Sequence, residues 1–170
     1  NEALAEKIRQ MRNHGMEPKY YHKFVGGNFR LDAIQAAGLL VKLPHLDTWG
    51  QMRRSNASIY NEAFESVEEI KTPYIQPQNY SIFNQYIVAV DHRDDVIAYL
   101  RSKEIGCEIY YPVPLHMQEC FAQLGYKEGD FPNAEYAAKH TIALPIYPEL
   151  TLDQLNYVIE TLKEAVVKFR

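Results

Sequence analysis

Two cysteines, Cys107 and Cys120, are all the thiol in this 170-residue chain. They form neither a zinc-ligand spacing nor a disulfide framework, so a reducing cytoplasm is the expected setting. Basic clusters are also missing. Arg53-Arg54 is the only adjacent pair of cations and the formal net charge is −4, which argues against bulk attraction to nucleic acid or anionic lipid. No apolar run approaches the ~18 residues of a membrane span. No basic-then-apolar signal opens the chain either. There is no phosphate loop ending in Gly-Lys-Ser, no HExxH and no GxSxG. Carboxylates are scattered over helix faces without an acid–base pair, no metal-ligand group forms, and neither cysteine has a basic neighbour to lower its pKa.

Hydrophobic residues make up 46% of the chain and charged residues 24%, enough apolar material for a substantial core. The length suits one domain, or one and a fragment. Leu4, Ile8 and Met11 recur at helical spacing and Gly15 marks the stop. A chain that opens inside an amphipathic helix reads as the continuation of something longer. A second helix is expected through FRLDAIQAAGLLVKL, with Leu31, Ile34, Ala37, Leu39 and Val41 on its apolar side. Pro44 ends it, and Asp47 is placed to cap a third, through WGQMRRSNASIYNEAFESV, with Trp49, Met52, Ile59, Tyr60 and Ala63 inward.

The proline-bearing stretch from Lys71 to Asn79 reads as a connector and sets the expected domain boundary, 1–72 and 73–170. Beyond it strands are expected in SIFNQYIVAV, CEIYYPVP and TIALPIY. Helices are expected over DHRDDVIAYLRSKEIG, HMQECFAQLGY, NAEYAAKH and the closing TLDQLNYVIETLKEAVVKF. Thr151 with Gln154 forms the capping-box pattern of the last. The second half is therefore a small α+β domain.

Three stretches carry residues suited to chemistry. In VGGNFRLD, two glycines allow close backbone approach, Asn28 offers two amide hydrogens and Arg30 a planar fork of donors. With a helix N-terminus behind them, these favour an anion such as a phosphate. A plain N-cap preceded by a loop explains the same residues equally simply. In IYYPVPLHMQ, prolines hold Tyr110, Tyr111 and His116 in a rigid segment that suits a hydroxyl-rich or ring-bearing ligand, or else packs a core. KYYH presents Tyr21 and His22 on an irregular loop, where function often resides.

Taken in order, these residues resemble a known family. Gly26, Asn28, Arg30 and the Asp32–Ala37 run, then Lys42-Leu43, Leu46, Trp49, Arg53 and Tyr60, are similar to sugar-nucleotide aminotransferases of the DegT/StrS type. Their pattern is G-x-N-x-R-x-D-x-I-Q-A-A followed by K-L-x-x-L-D-x-W and a later R and Y. Tyr111-Pro112-x-Pro114-Leu115-His116 and Leu144-Pro145-Ile146 agree as well, and the likeness runs along essentially the whole chain.

The resemblance implies the C-terminal portion of the aspartate-aminotransferase fold, pyridoxal-phosphate fold type I, of class α/β: helices of the large domain, then the small α+β domain. It implies pyridoxal 5'-phosphate as cofactor, a nucleotide-linked keto sugar as substrate, glutamate as amino donor, and a role in surface-polysaccharide or related sugar synthesis. It also implies a homodimer with the active site at the subunit interface. Asn28 would reach the cofactor phosphate of the other subunit, and Arg30, Tyr110, Tyr111, Tyr21 and His22 would contact substrate. Tyr110 departs from the histidine associated with its position. Ten lysines are present, but none follows the family's Ser-x-x-Lys approach. The covalent anchor is therefore expected upstream of Asn1, and the chain alone is expected to be inactive. A non-catalytic module and a dehydratase of the same fold are the alternatives.

Overall fold

The computed structural model describes all 170 residues, which divide into two compact units, Asn1–Leu46 and Asp47–Arg170. This division falls earlier than the expected 72/73 boundary. The reason lies in the third helix, whose Ala57, Tyr60 and Phe64 belong to the apolar cluster of the second unit.

The first unit holds α1 (Glu2–Met11) and α2 (Ala33–Lys42), the latter running into a 3-10 turn over Leu43–His45. Asn1 caps α1 by accepting from the Leu4 amide at 3.2 Å. Asp32, not Asn28, caps α2: its Oδ1 accepts from Ile34 N at 2.8 Å and Gln35 N at 3.4 Å. Neither helix buries a residue within this chain. The apolar side expected of α2 exists but faces outward, with Ile34 84% and Val41 73% exposed.

Between these helices the backbone crosses itself tightly. Gly15, at φ +68°, would place a Cβ 2.0 Å from the Phe24 carbonyl oxygen; a Cβ on Gly26 would sit 2.5 Å from Gly15 N and 2.6 Å from Met11 O. Only glycine fits where main chain meets main chain this closely. Gly15 lies three residues beyond the Arg12 cap of α1 rather than at the helix end itself.

α3 (Leu46–Phe64) follows directly on the 3-10 turn and belongs to the second unit from Asp47 onward, so Asp47 sits in its first turn instead of capping it. Then come β1 (Tyr86–Ala89), α4 (Arg93–Ser102), α5 (Pro132–His140), β2 (Thr141–Leu144) and α6 (Leu152–Lys168). β1 and β2 pair antiparallel, Tyr86 opposite Leu144 and Ala89 opposite Thr141. Single bridges add Lys71 to β1 and Glu108 to β2.

The expected first strand is shortened because Phe83 takes φ +47°, which breaks extension before Tyr86. The strand expected over 107–114 reduces to the Glu108 bridge, since Pro112 and Pro114 have no amide hydrogen to give a ladder. The helix expected over 116–126 becomes two 3-10 turns, Leu115–Met117 and Glu119–Leu124, parted at Gln118 with ψ 137°.

The core gathers Val96, Ile97 and Leu100 of α4, Leu155, Val158, Ile159 and Leu162 of α6, Tyr86 and Val88 of β1, and Ile142 and Leu144 of β2. Burying each such aliphatic side chain contributes about 1.5–3 kcal/mol. The predicted capping box is present: Gln154 N donates to Thr151 Oγ1 at 3.3 Å and Thr151 N to Gln154 Oε1 at 3.0 Å.

Candidate functional site

In the first unit, the segment Gly26–Arg30 is pinned to the end of α1 through its main chain. His14 N donates to Gly27 O at 2.9 Å, Gly27 N to Met11 O at 3.0 Å and Phe29 N to Arg12 O at 2.9 Å. Gly26 therefore serves a crossing of two backbones while Gly27 makes room for the Phe29 ring, and neither takes a positive φ. Two first-turn amides of α2, Ile34 N and Gln35 N, are likewise occupied by Asp32.

What remains available is the side-chain pair. Asn28 Oδ1 accepts from Arg30 Nε at 3.0 Å, and Arg30 Nη1 donates to Asn13 Oδ1 at 3.4 Å. Asn28 Nδ2 makes no hydrogen bond inside the chain, and both side chains are exposed. A guanidinium braced by two amide oxygens beside a free amide N–H₂ is a donor set that fits phosphate oxygens. Tyr21 and His22 lie on the neighbouring loop of this unit. The Tyr21 side chain is exposed, and His22 Nδ1 stands 2.9 Å from His14 O.

In the second unit, Tyr110 and Tyr111 sit on irregular backbone and are exposed. Tyr111 lines a cavity of about 560 Å³ together with Ile87, Leu115, His116, Phe131 and Thr141. Here the structure forms a pairing that sequence reading missed. His116 Nε2 lies 3.0 Å from Glu135 Oε1, with the imidazole only 7% and the carboxylate 13% exposed. Gly129 N donates to both Glu135 oxygens, at 2.9 and 3.0 Å, and Phe131 N donates to Oε1 at 3.3 Å. Burial alone pushes this carboxyl upward, but the Gly129 and Phe131 amides and His116 outweigh it and hold Glu135 below its ordinary value. An ionised carboxylate only accepts, so Nε2 carries the hydrogen. Nineteen residues and two irregular turns separate the partners, and no periodic signal spans such a gap.

This arrangement predicts a pH dependence. A group whose folded pKa is lowered stabilises above its unfolded pKa and loses that effect as pH falls through the folded value. The melting temperature of wild type should therefore exceed that of Glu135→Gln at pH 7, with the gap closing below pH ~4.5. A gap that stays constant down to pH 3 would remove the carboxylate from this role.

Cys107 is less isolated than its sequence neighbours suggest. Arg101 lies close enough to lower its pKa, yet burial dominates and pushes the thiol up, which leaves it unreactive. No group of three or more His, Cys, Asp or Glu side chains is placed to hold a metal ion. No helix is long and apolar enough to cross a membrane.

The two units have the fold of the C-terminal part of pyridoxal-phosphate type I sugar aminotransferases. Over 96% of this chain and 44% of its own, DesV of S. venezuelae superposes with a TM-score of 0.90 at 34% identity. Residues 1–163 match the DegT/DnrJ/EryC1/StrS aminotransferase family, and the chain belongs to that family. Among curated relatives, a pleiotropic regulatory protein of Geobacillus stearothermophilus is 46% identical over 166 residues, 96% of this chain and 45% of that protein. The dTDP-3-amino-3,4,6-trideoxy-alpha-D-glucose transaminase of Streptomyces venezuelae is 35% identical over 161 residues, 95% of this chain and 42% of that protein. The chain thus spans somewhat under half the length of the relatives it matches.

Proposed function

We propose that this chain is the C-terminal portion of a pyridoxal-phosphate-dependent aminotransferase acting on a nucleotide-linked keto sugar, with glutamate as donor. Such an enzyme would serve polysaccharide or related sugar biosynthesis in the cytoplasm. What supports the reading is the family match across residues 1–163 together with the free Asn28 amide braced against Arg30. The large-domain helices would end at residue 72 and the small domain would fill 73–170. The outward apolar faces of α1 and α2 would be covered by the rest of the polypeptide and by a second copy, with the active site at the dimer interface.

In this reading Asn28 Nδ2 donates to the cofactor phosphate across the interface, and Arg30 balances charge on the same loop. Tyr110, Tyr111, Tyr21 and His22 orient the substrate. When bound, pyridoxal phosphate supplies the electron sink for proton transfer at the amino-bearing carbon. The lysine that anchors it would lie in the part of the relatives' length that this chain does not span, which leaves the chain inactive by itself.

Asn28→Ala in the full-length protein should weaken cofactor retention about tenfold or more, the worth of a hydrogen bond to a charged group. Asn28→Asp, which keeps the acceptor for Arg30 but removes the N–H₂ donors, should do the same. The measurement is dissociation of the visible cofactor band on dilution, and unchanged retention in both variants would contradict the assignment.

The name of the Geobacillus stearothermophilus relative favours a second reading, a non-catalytic regulatory module of the same fold. A folded full-length protein that shows no visible band with pyridoxal phosphate would select it.

A further inference from the structure

Arg53 Nε is the only buried side-chain nitrogen or oxygen in the chain that lacks a hydrogen-bond partner. Two other arginines are also drawn away from solvent, and both are satisfied. Arg54 Nη1 donates to Ser81 O at 2.8 Å, its guanidinium lying 4.2 Å from the centre of the Tyr80 ring. Arg93 donates to Asp94 Oδ1 at 2.6 Å and to Thr141 O at 3.3 Å. Arg53 has neither a hydrogen bond nor a carboxylate at ion-pair distance, although it is only half exposed. A sealed donor on a full charge is destabilising unless an acceptor reaches it, so the group calls for an explanation.

Its address supplies one. Arg53, Asn56 and Tyr60 lie on one face of α3, at positions i, i+3 and i+7. The two lower rungs bind main-chain carbonyls: Asn56 Nδ2 donates to Tyr147 O at 2.9 Å and Tyr60 Oη to Pro145 O at 3.0 Å. Arg53 is the next rung, and there no carbonyl lies within hydrogen-bond distance of Nε. A water would satisfy Nε but leave the charge unbalanced. The guanidinium carries two further nitrogens, and the residue as a whole is half-buried rather than sealed. A planar fork of donors with no partner of its own matches the two oxygens of a carboxylate or phosphate.

We propose that Arg53 binds an oxyanion of a substrate, either a carboxylate of the amino donor or a phosphate of the nucleotide. The assignment of substrates rests on the aminotransferase reading; the need for an anion rests on Arg53 itself.

The test is calorimetric titration of the full-length protein with 2-oxoglutarate and, separately, with UDP and dTDP. Wild type is compared with Arg53→Gln and Arg53→Lys, and the cofactor band and melting temperature are recorded for each. The expected result is a tenfold or greater rise in one Kd for Arg53→Gln, with Arg53→Lys intermediate and the cofactor band retained. Weakening of 2-oxoglutarate alone assigns the anion to the amino donor. Weakening of the nucleoside diphosphates alone assigns it to the nucleotide. If no Kd moves by more than twofold in either variant, whatever the melting temperature does, Arg53 is a packing residue and the proposal fails. If wild type never develops a cofactor band, the aminotransferase reading fails instead, and the nucleotide titrations still judge Arg53.

Discussion

Tyr60→Ala is expected to destabilise the Asp47–Arg170 unit by about 3–5 kcal/mol, the usual cost of emptying a buried aromatic site. Tyr60 is fully buried in α3, its ring centroid 4.9 Å from Tyr86 and 5.9 Å from Phe64. Its hydroxyl also donates to Pro145 O at 3.0 Å, which ties α3 to the residues after β2. Truncation therefore removes ring contacts on two sides and leaves a carbonyl unpaired. For a protein of this size the melting temperature should fall by roughly 6–20 °C. Tyr60→Phe, which loses only the hydroxyl, should cost about 0.5–1.5 kcal/mol. Equal losses from the two variants would mean that the hydrogen bond, not the packing, holds this position.

Gly15→Ala is expected to have a comparably large effect, about 2–6 kcal/mol, confined to the first unit. The residue would have to take φ +68°, costing about 1–3 kcal/mol in itself. It would also have to push back the Phe24 carbonyl, which adds overpacking strain of about 1–3 kcal/mol. The backbone crossing would open, and with it the bonds from Gly15 N to Gln10 O, His14 N to Gly27 O and Phe29 N to Arg12 O. Hydrogen exchange should report these amides as deprotected, with the β1–β2 pairing as internal reference. That crossing also holds the segment around Asn28 in place, so under the proposed role of Asn28 cofactor retention should weaken alongside. Retained protection at His14 and Phe29 would show that the crossing tolerates a side chain.

These expectations mark where sequence reading succeeded. Periodic helices were legible because the 3.6-residue repeat is a local property: α1, α4 and α6 appear where apolar spacing put them, and Val96, Ile97, Leu100 and Ile105 are buried as expected. The capping box at Thr151 was legible for the same reason. Family membership was legible through the run from Gly26 to Ala37, which sits inside the matched residues.

Long-range geometry was not legible. The glycines before Asn28 read as a loop shaped for an anion; Gly26 proves to be a spacer between two backbones, and Gly27 leaves room for the Phe29 ring. The cap of α2 belongs to Asp32, because its carboxylate reaches the Ile34 and Gln35 amides from the residue adjoining the helix. Glu135 looked like one more scattered carboxylate until folding brought two amides and an imidazole to it.

Composition, helical period and one dense motif thus determined the class of this protein and the order of its helices. Only the tertiary structure decided which donors are already spent, which carboxylate is held ionised and which guanidinium is left wanting. The physical reason is range: periodicity and capping act over four residues, while the satisfaction of a buried polar group depends on whatever the fold carries to within 3 Å of it.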